Sequence, residues 1–245
     1  MPPASSFIRL CCLCGALAVA GAATATAAPL FEDPFNNTAK AERSLASIGW
    51  SIANTSSISA PLAIPAKGKG NAFGVLSAAP GTGDGQPGYI WTSVGSGQIR
   101  IFTRPISGLP LLTVSSIGTI TFDAVVSNSG IVNTHILVQL GGKDWYLSGV
   151  EHRPVAVGNR KSFSDAPDPA AVRQTLDFTP AAAGWQSLTL AEDSPLALVP
   201  ASADLPAAAL VTGIGFLVHN TRADKGGVVV RLDTLAISGR TDGKP

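Results

Sequence analysis

Cysteine is absent from almost the whole sequence. All three cysteines, Cys11, Cys12 and Cys14, fall near the start of the 245-residue chain, inside a segment that we expect to be removed on export. The remaining chain then has no disulfide, no thiolate nucleophile and no cysteine ligand for a metal. A chain of about 218 residues can bury enough core to be stable without disulfides.

Charge is also scarce, and neither sign dominates. Charged residues make up 13% of the sequence, with 17 Lys+Arg against 16 Asp+Glu. Loss of Arg9 with the signal segment that is removed leaves 16 of each sign and a net charge near zero. A neutral, weakly charged chain lacks the electrostatic attraction that binds nucleic acids or anionic membranes. We therefore expect no nucleic-acid partner.

Groups that perform catalysis are few and scattered. Glutamate occurs at only four positions, and no two of them share a predicted strand: Glu32, Glu42, Glu151 and Glu192. The three histidines are far apart in sequence, without the spacing of a zinc site: His135, His152 and His219. A carboxylate pair assembled from distant strands stays open as an alternative, because such a site needs only closeness in space.

The first 27 residues have the three-part order of a secretory signal. Arg9 precedes an apolar run of about 14 residues, and small residues follow from Thr24 to Ala28. The run is shorter than the roughly 20 residues that cross a bilayer as a helix. Ala25 and Ala27 fit the small residues before a cleavage site, so we expect cleavage after Ala27. The protein is predicted to be secreted or periplasmic, without a transmembrane anchor after cleavage.

Residues 28–245 read as a single all-β domain. Glycine and proline punctuate short runs rich in Val, Ile, Thr and aromatic residues, which favours a two-sheet antiparallel β-sandwich (jelly roll) with minimal helix. Asp168 and Pro169 predict one or two helical turns. Strands are expected at 73–77, 89–92, 98–103, 118–127, 134–140, 144–148, 185–190, 213–219 and 227–238.

Two glycines between two of these strands predict a β-hairpin. Gly141 and Gly142 supply the positive φ angles of a tight turn that joins 137–140 to 143–147. Trp145 and Tyr146 are adjacent on the second strand, so their side chains point to opposite faces of the sheet.

Exposed aromatic side chains on strands suggest a site for sugars. Trp and Tyr rings stack on the apolar faces of pyranoses, while neighbouring polar groups bond to the hydroxyls. The candidate ligand-binding residues are Trp91, Trp145 and Tyr146, with Glu151, His152 and Arg153 in the charged loop that follows. Trp50 and Trp185 each follow a glycine at a strand start, and we expect both in the core.

The two ends of the exported chain resemble the first and last strands of secreted jelly-roll modules of the galactose-binding-like and carbohydrate-binding kind. The resemblance rests on the segment Leu30–Asn36, on Val229–Ser238 and on the run Gly184–Leu190. It implies a structural calcium ion, held by Glu32 or Asp33 together with Asp233. Calcium takes six to eight oxygen ligands, so carbonyls and waters would complete the set.

The sequence therefore favours a secreted module without catalysis, which binds a polysaccharide or other glycan or serves at the cell surface. The alternative is a polysaccharide-degrading lyase or glycoside hydrolase of concanavalin-like jelly-roll fold. The Gln-x-His signature of such enzymes is not visible, since Gln98-Ile99-Arg100 lacks the histidine.

Overall fold

The structure is a computed structural model that describes residues 29–39, 41–66, 74–80, 86–107, 112–128, 131–159, 162–222 and 226–240. The predicted export signal lies outside the described residues. Phe73, the first residue of one predicted strand, lies outside them too.

Strands make up most of the regular structure in these ranges. In chain order they are β1 (Pro29–Asp33), β2 (Arg43–Ser44), β3 (Ser51–Thr55), β4 (Val75–Pro80), β5 (Pro87–Val94), β6 (Ile99–Pro105), β7 (Ile117–Val126), β8 (Val132–Leu140), β9 (Asp144–Ser148), β10 (Val155–Ala156), β11 (Arg173–Asp177), β12 (Trp185–Thr189), β13 (Ala197–Pro200), β14 (Val211–Asn220) and β15 (Val228–Gly239).

The strands form two sheets. Sheet A has the order β10-β7-β15-β5-β4-β2, with β1 added beside β15 and β11 beside β7. Sheet B has the order β13-β12-β9-β8-β14-β6-β3. Within the described ranges, every named pair is antiparallel except the two-residue β10, which runs parallel to β7. The predicted two-sheet β-sandwich is confirmed.

Aromatic rings from both sheets meet in the core between them. Trp50 precedes β3 and stacks on Phe216 of β14, with centroids 5.9 Å apart and planes at 11°. Phe122 of β7, in the other sheet, meets Phe216 edge-on at 5.1 Å. Trp185 is buried at the start of β12, and its Nε1–H donates to the carbonyl of Thr179 at 2.7 Å. The prediction that Trp50 and Trp185 are core residues is confirmed.

Each sheet also carries a smaller apolar cluster on its outer face. In β7, Phe122 and Ala124 face the central core, whereas Val125 points the other way and packs under the segment that follows β9. That segment contributes Phe163, Ala166 and Val172 to the cluster. The outer cluster of sheet B includes Leu137, Leu188 and Leu217, covered by Leu62 and Leu196 from connecting segments.

Helical structure is limited to short 3-10 turns in the described residues. They lie at Leu45–Ile48, Val114–Ser116, Phe163–Asp165, Pro169–Ala171 and Ala182–Gly184. The turn at Pro169–Ala171 occupies the predicted helical position, and the Asp168 carboxylate accepts the N–H of Ala170 at 3.0 Å. No helix in the described ranges is long and apolar enough to cross a membrane.

Candidate functional site

Trp145 and Tyr146 line one cleft at the turn end of β9. This cleft, called here the Trp145 cleft, has a volume of about 410 Å³. Its lining residues are Lys143, Asp144, Trp145, Tyr146, Ser187, Leu188, Thr189 and Leu190. Its walls are β9 and the neighbouring β12, in which Leu188 pairs with Trp145 and Ser187 pairs with Tyr146.

The β8–β9 hairpin positions both aromatic residues. Gly141 and Gly142 adopt φ angles of 57° and 75°, which confirms the predicted turn. Trp145 packs with the outer cluster of sheet B, and Tyr146 packs against the central core. The two rings therefore lie on opposite faces of β9, with Trp145 on the outer face of sheet B and Tyr146 toward the central core.

Gly213 of β14 leaves room for the Trp145 ring. A Cβ atom at Gly213 would lie 3.0 Å from Cη2 of Trp145 and 3.0 Å from Oε1 of Gln139. Gln139 is also the cross-strand partner of Trp145 in the β8–β9 ladder. The indole thus extends across β8 toward β14, which fixes its position while leaving it half-buried.

The predicted charged loop lies at the other end of β9, away from the cleft. Glu151 and Arg153 are at the surface and form an ion pair with a 3.4 Å separation. Their backbone neighbour His152 is 5% exposed, because it bridges to Thr134 of β8 and its ring stands edge-on to Phe122 at 5.2 Å. The sequence offers His152 as a ligand-binding residue of a charged loop, whereas the structure buries its side chain.

Burial also sets the protonation of His152. Desolvation lowers the pKa of its imidazole from the ordinary value of 6.5, and the nearby His135 lowers it further. Its Nε2 atom is buried without a hydrogen-bond partner in the structure. A neutral, enclosed imidazole suits packing better than contact with a surface ligand.

The carboxylate of Asp33 has partners within the protein. Asp33 accepts hydrogen bonds from the Trp50 indole N–H at 2.7 Å and the Phe35 amide at 3.1 Å, and it forms an ion pair with Arg104. Asp233 is 1% exposed and accepts the amide of Thr234 at 2.9 Å.

Glu32, which also belongs to the predicted calcium set, is exposed beside Asp33 on β1. No group of three or more His, Cys, Asp or Glu side chains suited to a metal ion occurs among the described residues. Calcium binding by Glu32, Asp33 and Asp233 stays a prediction, which a comparison of melting temperatures with calcium and with a chelator would test.

Trp91 lies in a different groove, on the outer face of sheet A. This groove, called here the Arg231 groove, has a volume of about 400 Å³. Its lining residues are Glu42, Tyr89, Trp91, Asn159, Val229 and Arg231. Trp91 of β5 and Arg231 of β15 are cross-strand partners, so their side chains are neighbours on one face of sheet A.

Trp91 is the lining residue of the Arg231 groove that the sequence analysis selected for ligand binding. The signal in the sequence for Arg231 is that it is a lone arginine in the apolar strand β15, because charged side chains are seldom buried without a reason. The pairing of Arg231 with Trp91 joins positions 140 residues apart. Such a register does not follow from local sequence patterns.

Comparisons with known proteins give structural likeness only. No protein-family profile matches the chain, and no curated protein matches it in sequence. Among solved structures, the family 11 carbohydrate-binding module of the cellulosomal cellulase Lic26A-Cel5E of Clostridium thermocellum is 11% identical, with a TM-score of 0.40. That match covers 82% of this chain and 96% of the module.

Two other matched structures are similar over comparable lengths. The xyloglucanase domain of NopAA from Sinorhizobium fredii is 11% identical at a TM-score of 0.31, covering 87% of this chain and 100% of that chain. Carbohydrate-binding modules described as belonging to the β-sandwich superfamily are 14% identical at 0.31, covering 78% and 57%. These identities and TM-scores are too low to support a conclusion about function.

Proposed function

We propose that this protein is a secreted, non-catalytic glycan-binding β-sandwich, and that the Trp145 cleft binds the sugar. The observation that supports this proposal is the half-buried indole of Trp145 on the outer face of sheet B, at a cleft with polar neighbours. Carbohydrate sites combine a flat apolar surface for the ring with polar groups for the hydroxyls.

The polar groups of the cleft offer both donors and acceptors. Lys143 provides an ammonium group and Asp144 a carboxylate, while Ser187 and Thr189 provide hydroxyls. Lys143, Asp144 and Thr189 are exposed, so a ligand can reach them without displacing the core. Sugar hydroxyls both donate and accept, and a mixed set of this kind satisfies them.

The test is binding of the purified protein to a panel of insoluble neutral polysaccharides. Trp145→Ala is expected to weaken retention on the bound polysaccharide about five- to thirtyfold, because loss of one aromatic stacking surface costs about 1–2 kcal/mol. Gly213→Ala is expected to weaken it as well, since the added methyl displaces the Trp145 ring. Ile131→Ala, which trims a 56% exposed apolar residue elsewhere, is the matched control and should change nothing.

Assays of product release on the same panel test the absence of catalysis. Neither reducing sugars nor unsaturated products are expected. Release that Glu151→Gln or His152→Ala abolished would instead establish the alternative, a polysaccharide-degrading enzyme. Retention unchanged by Trp145→Ala would reject the Trp145 cleft as the binding site.

A further inference from the structure

Arg231 is a buried cation with one side-chain nitrogen that has no hydrogen-bond partner in the described part of the chain. The residue is 7% exposed, and its Nη1 atom is buried without a hydrogen-bond acceptor. A buried donor without an acceptor destabilises the folded protein, and more so when the group is charged. A guanidinium is retained in such a place only where something offsets that cost.

The nearby acidic groups on sheet A bond elsewhere. Asp123 forms an ion pair with Arg173, and Asp233 accepts the amide of Thr234. Among the described residues, no acceptor is within hydrogen-bond reach of Nη1 of Arg231. We expect the acceptor for this atom to come from outside the protein, through the groove that Arg231 lines.

The aromatic residues beside Arg231 are held in place. The indole N–H of Trp91, the cross-strand partner of Arg231, donates to Oε1 of Glu42 at 3.1 Å, which fixes the half-buried ring. Tyr89 meets Phe163 edge-on, with centroids 5.5 Å apart and planes at 72°. A flat ligand that lies over the Trp91 ring can thus reach the neighbouring guanidinium.

We infer that the Arg231 groove binds a uronic acid residue of an acidic glycan, with its carboxylate on Arg231. A carboxylate matches the guanidinium fork and accepts two parallel hydrogen bonds from it. The pyranose ring then lies against Trp91, and its hydroxyls meet Glu42 and Asn159.

The charge of the groove favours a single negative charge on the ligand. Glu42 places one carboxylate in the groove beside Arg231, and buried Asp123 and Asp233 lie farther along the same sheet face. A guanidinium can pair with a phosphate as well as with a carboxylate, but a phosphate dianion would be repelled by these acidic side chains more strongly than a singly charged carboxylate.

This site is separate from the Trp145 cleft, which lies on sheet B. The inference goes beyond the proposed function, and different variants test the two sites. Trp145→Ala is expected to leave binding at the Arg231 groove unchanged, and Arg231 variants are expected to leave neutral polysaccharide binding unchanged. Failure of one proposal therefore does not resemble failure of the other.

The test is calorimetric titration of the purified protein with an oligogalacturonate, its methyl ester and inorganic phosphate. The acid is expected to bind at least tenfold more tightly than the ester, with an affinity that falls as salt rises. Equal affinity for acid and ester would overturn the inference. Phosphate binding as tight as that of the acid would overturn the assignment to a carboxylate.

Variants of Arg231 separate ligand binding from a structural role. Arg231→Met is expected to abolish acid binding without lowering the melting temperature, because it removes a buried cation whose Nη1 atom has no acceptor among the described residues. Arg231→Lys keeps the charge but loses the fork, and should bind the acid at least tenfold more weakly.

Arg240→Gln is the matched control, because it removes one positive charge from an exposed residue just after the end of β15, nine positions along the chain from Arg231. It should bind the acid as the unaltered protein does. An Arg231→Met protein that unfolds, or that binds the acid normally, would contradict the inference.

Discussion

The imidazole of His152 is enclosed between the two sheets, with its ring edge against Phe122 and its backbone bridged to Thr134. Glu151 and Arg153 on either side of it remain at the surface. Neighbouring residues in an extended segment point in opposite directions, so a charged stretch can place one member in the core.

This burial makes stability depend on pH. The folded-state pKa of His152 is lowered from 6.5 by burial and by His135, so the unfolded chain binds a proton at higher pH than the folded chain. The stabilisation is complete above about pH 6.5 and is lost as the pH falls through the folded-state pKa. The pKa of His219 is lowered as well, which adds to the effect.

We expect the melting temperature to fall between pH 7 and pH 5, and His152→Leu to remove part of that fall. One group contributes at most about 1.4 kcal/mol per pH unit. Thermal unfolding followed at several pH values measures the slope for each protein. His219→Gln is the control, which should keep the part of the slope that belongs to His152. An unchanged slope in His152→Leu would contradict this prediction.

At the scale of elements, the sequence predicts strands best where they are long and alternate in polarity. The hairpin of β8 and β9, the strand β14 and the strand β15 match the predicted segments closely. The short strands β2, β3, β10, β11 and β13 were missed. They have two to five residues, several exposed, so their strand conformation depends on pairing partners rather than on their own pattern.

The candidate sites were likewise predictable only in part. Trp91, Trp145 and Tyr146 are recognisable from the sequence because aromatic residues on strands are conspicuous. Two features follow only from pairing between strands that are distant in the chain. One is that Trp145 and Tyr146 line a cleft with β12, and the other is that Trp91 is the cross-strand partner of Arg231.

The turn of the β8–β9 hairpin gives a second prediction. Gly142 has a φ of 75°, and no atom lies within 4 Å of the position of an added Cβ. The cost of substitution is therefore conformational rather than steric. Gly142→Val is expected to lower the free energy of unfolding by about 1–2 kcal/mol, whereas Gly142→Asn should cost less, because asparagine tolerates the left-handed region.

Urea unfolding of both variants measures this difference. Since the turn precedes Trp145, the valine variant should also bind the neutral polysaccharide less well. Equal losses of stability for Asn and Val would show that the turn is not under the constraint described.

At the scale of the whole molecule, the predicted export signal accounts for the location of every cysteine. The first residue of the exported protein is expected to be Ala28, after cleavage at the small residues Ala25 and Ala27. Expression in a secreting bacterial host, followed by N-terminal sequencing of the exported fraction, tests this expectation. Ala27→Arg should block cleavage at this position. An exported protein that begins at Met1 would contradict it.

The strand β15 has a consequence for the order of events in folding. It lies inside sheet A, with β7 along one edge and with β5 and then β1 along the other. Until residues 228–239 have been synthesised, β7 and β5 have no strand to join them, and sheet A stays in separate pieces. Pairings between such distant segments form slowly. We therefore expect sheet A to close only once β15 is available, and a chain that stays unfolded until then suits the predicted export, because export channels accept unfolded chains.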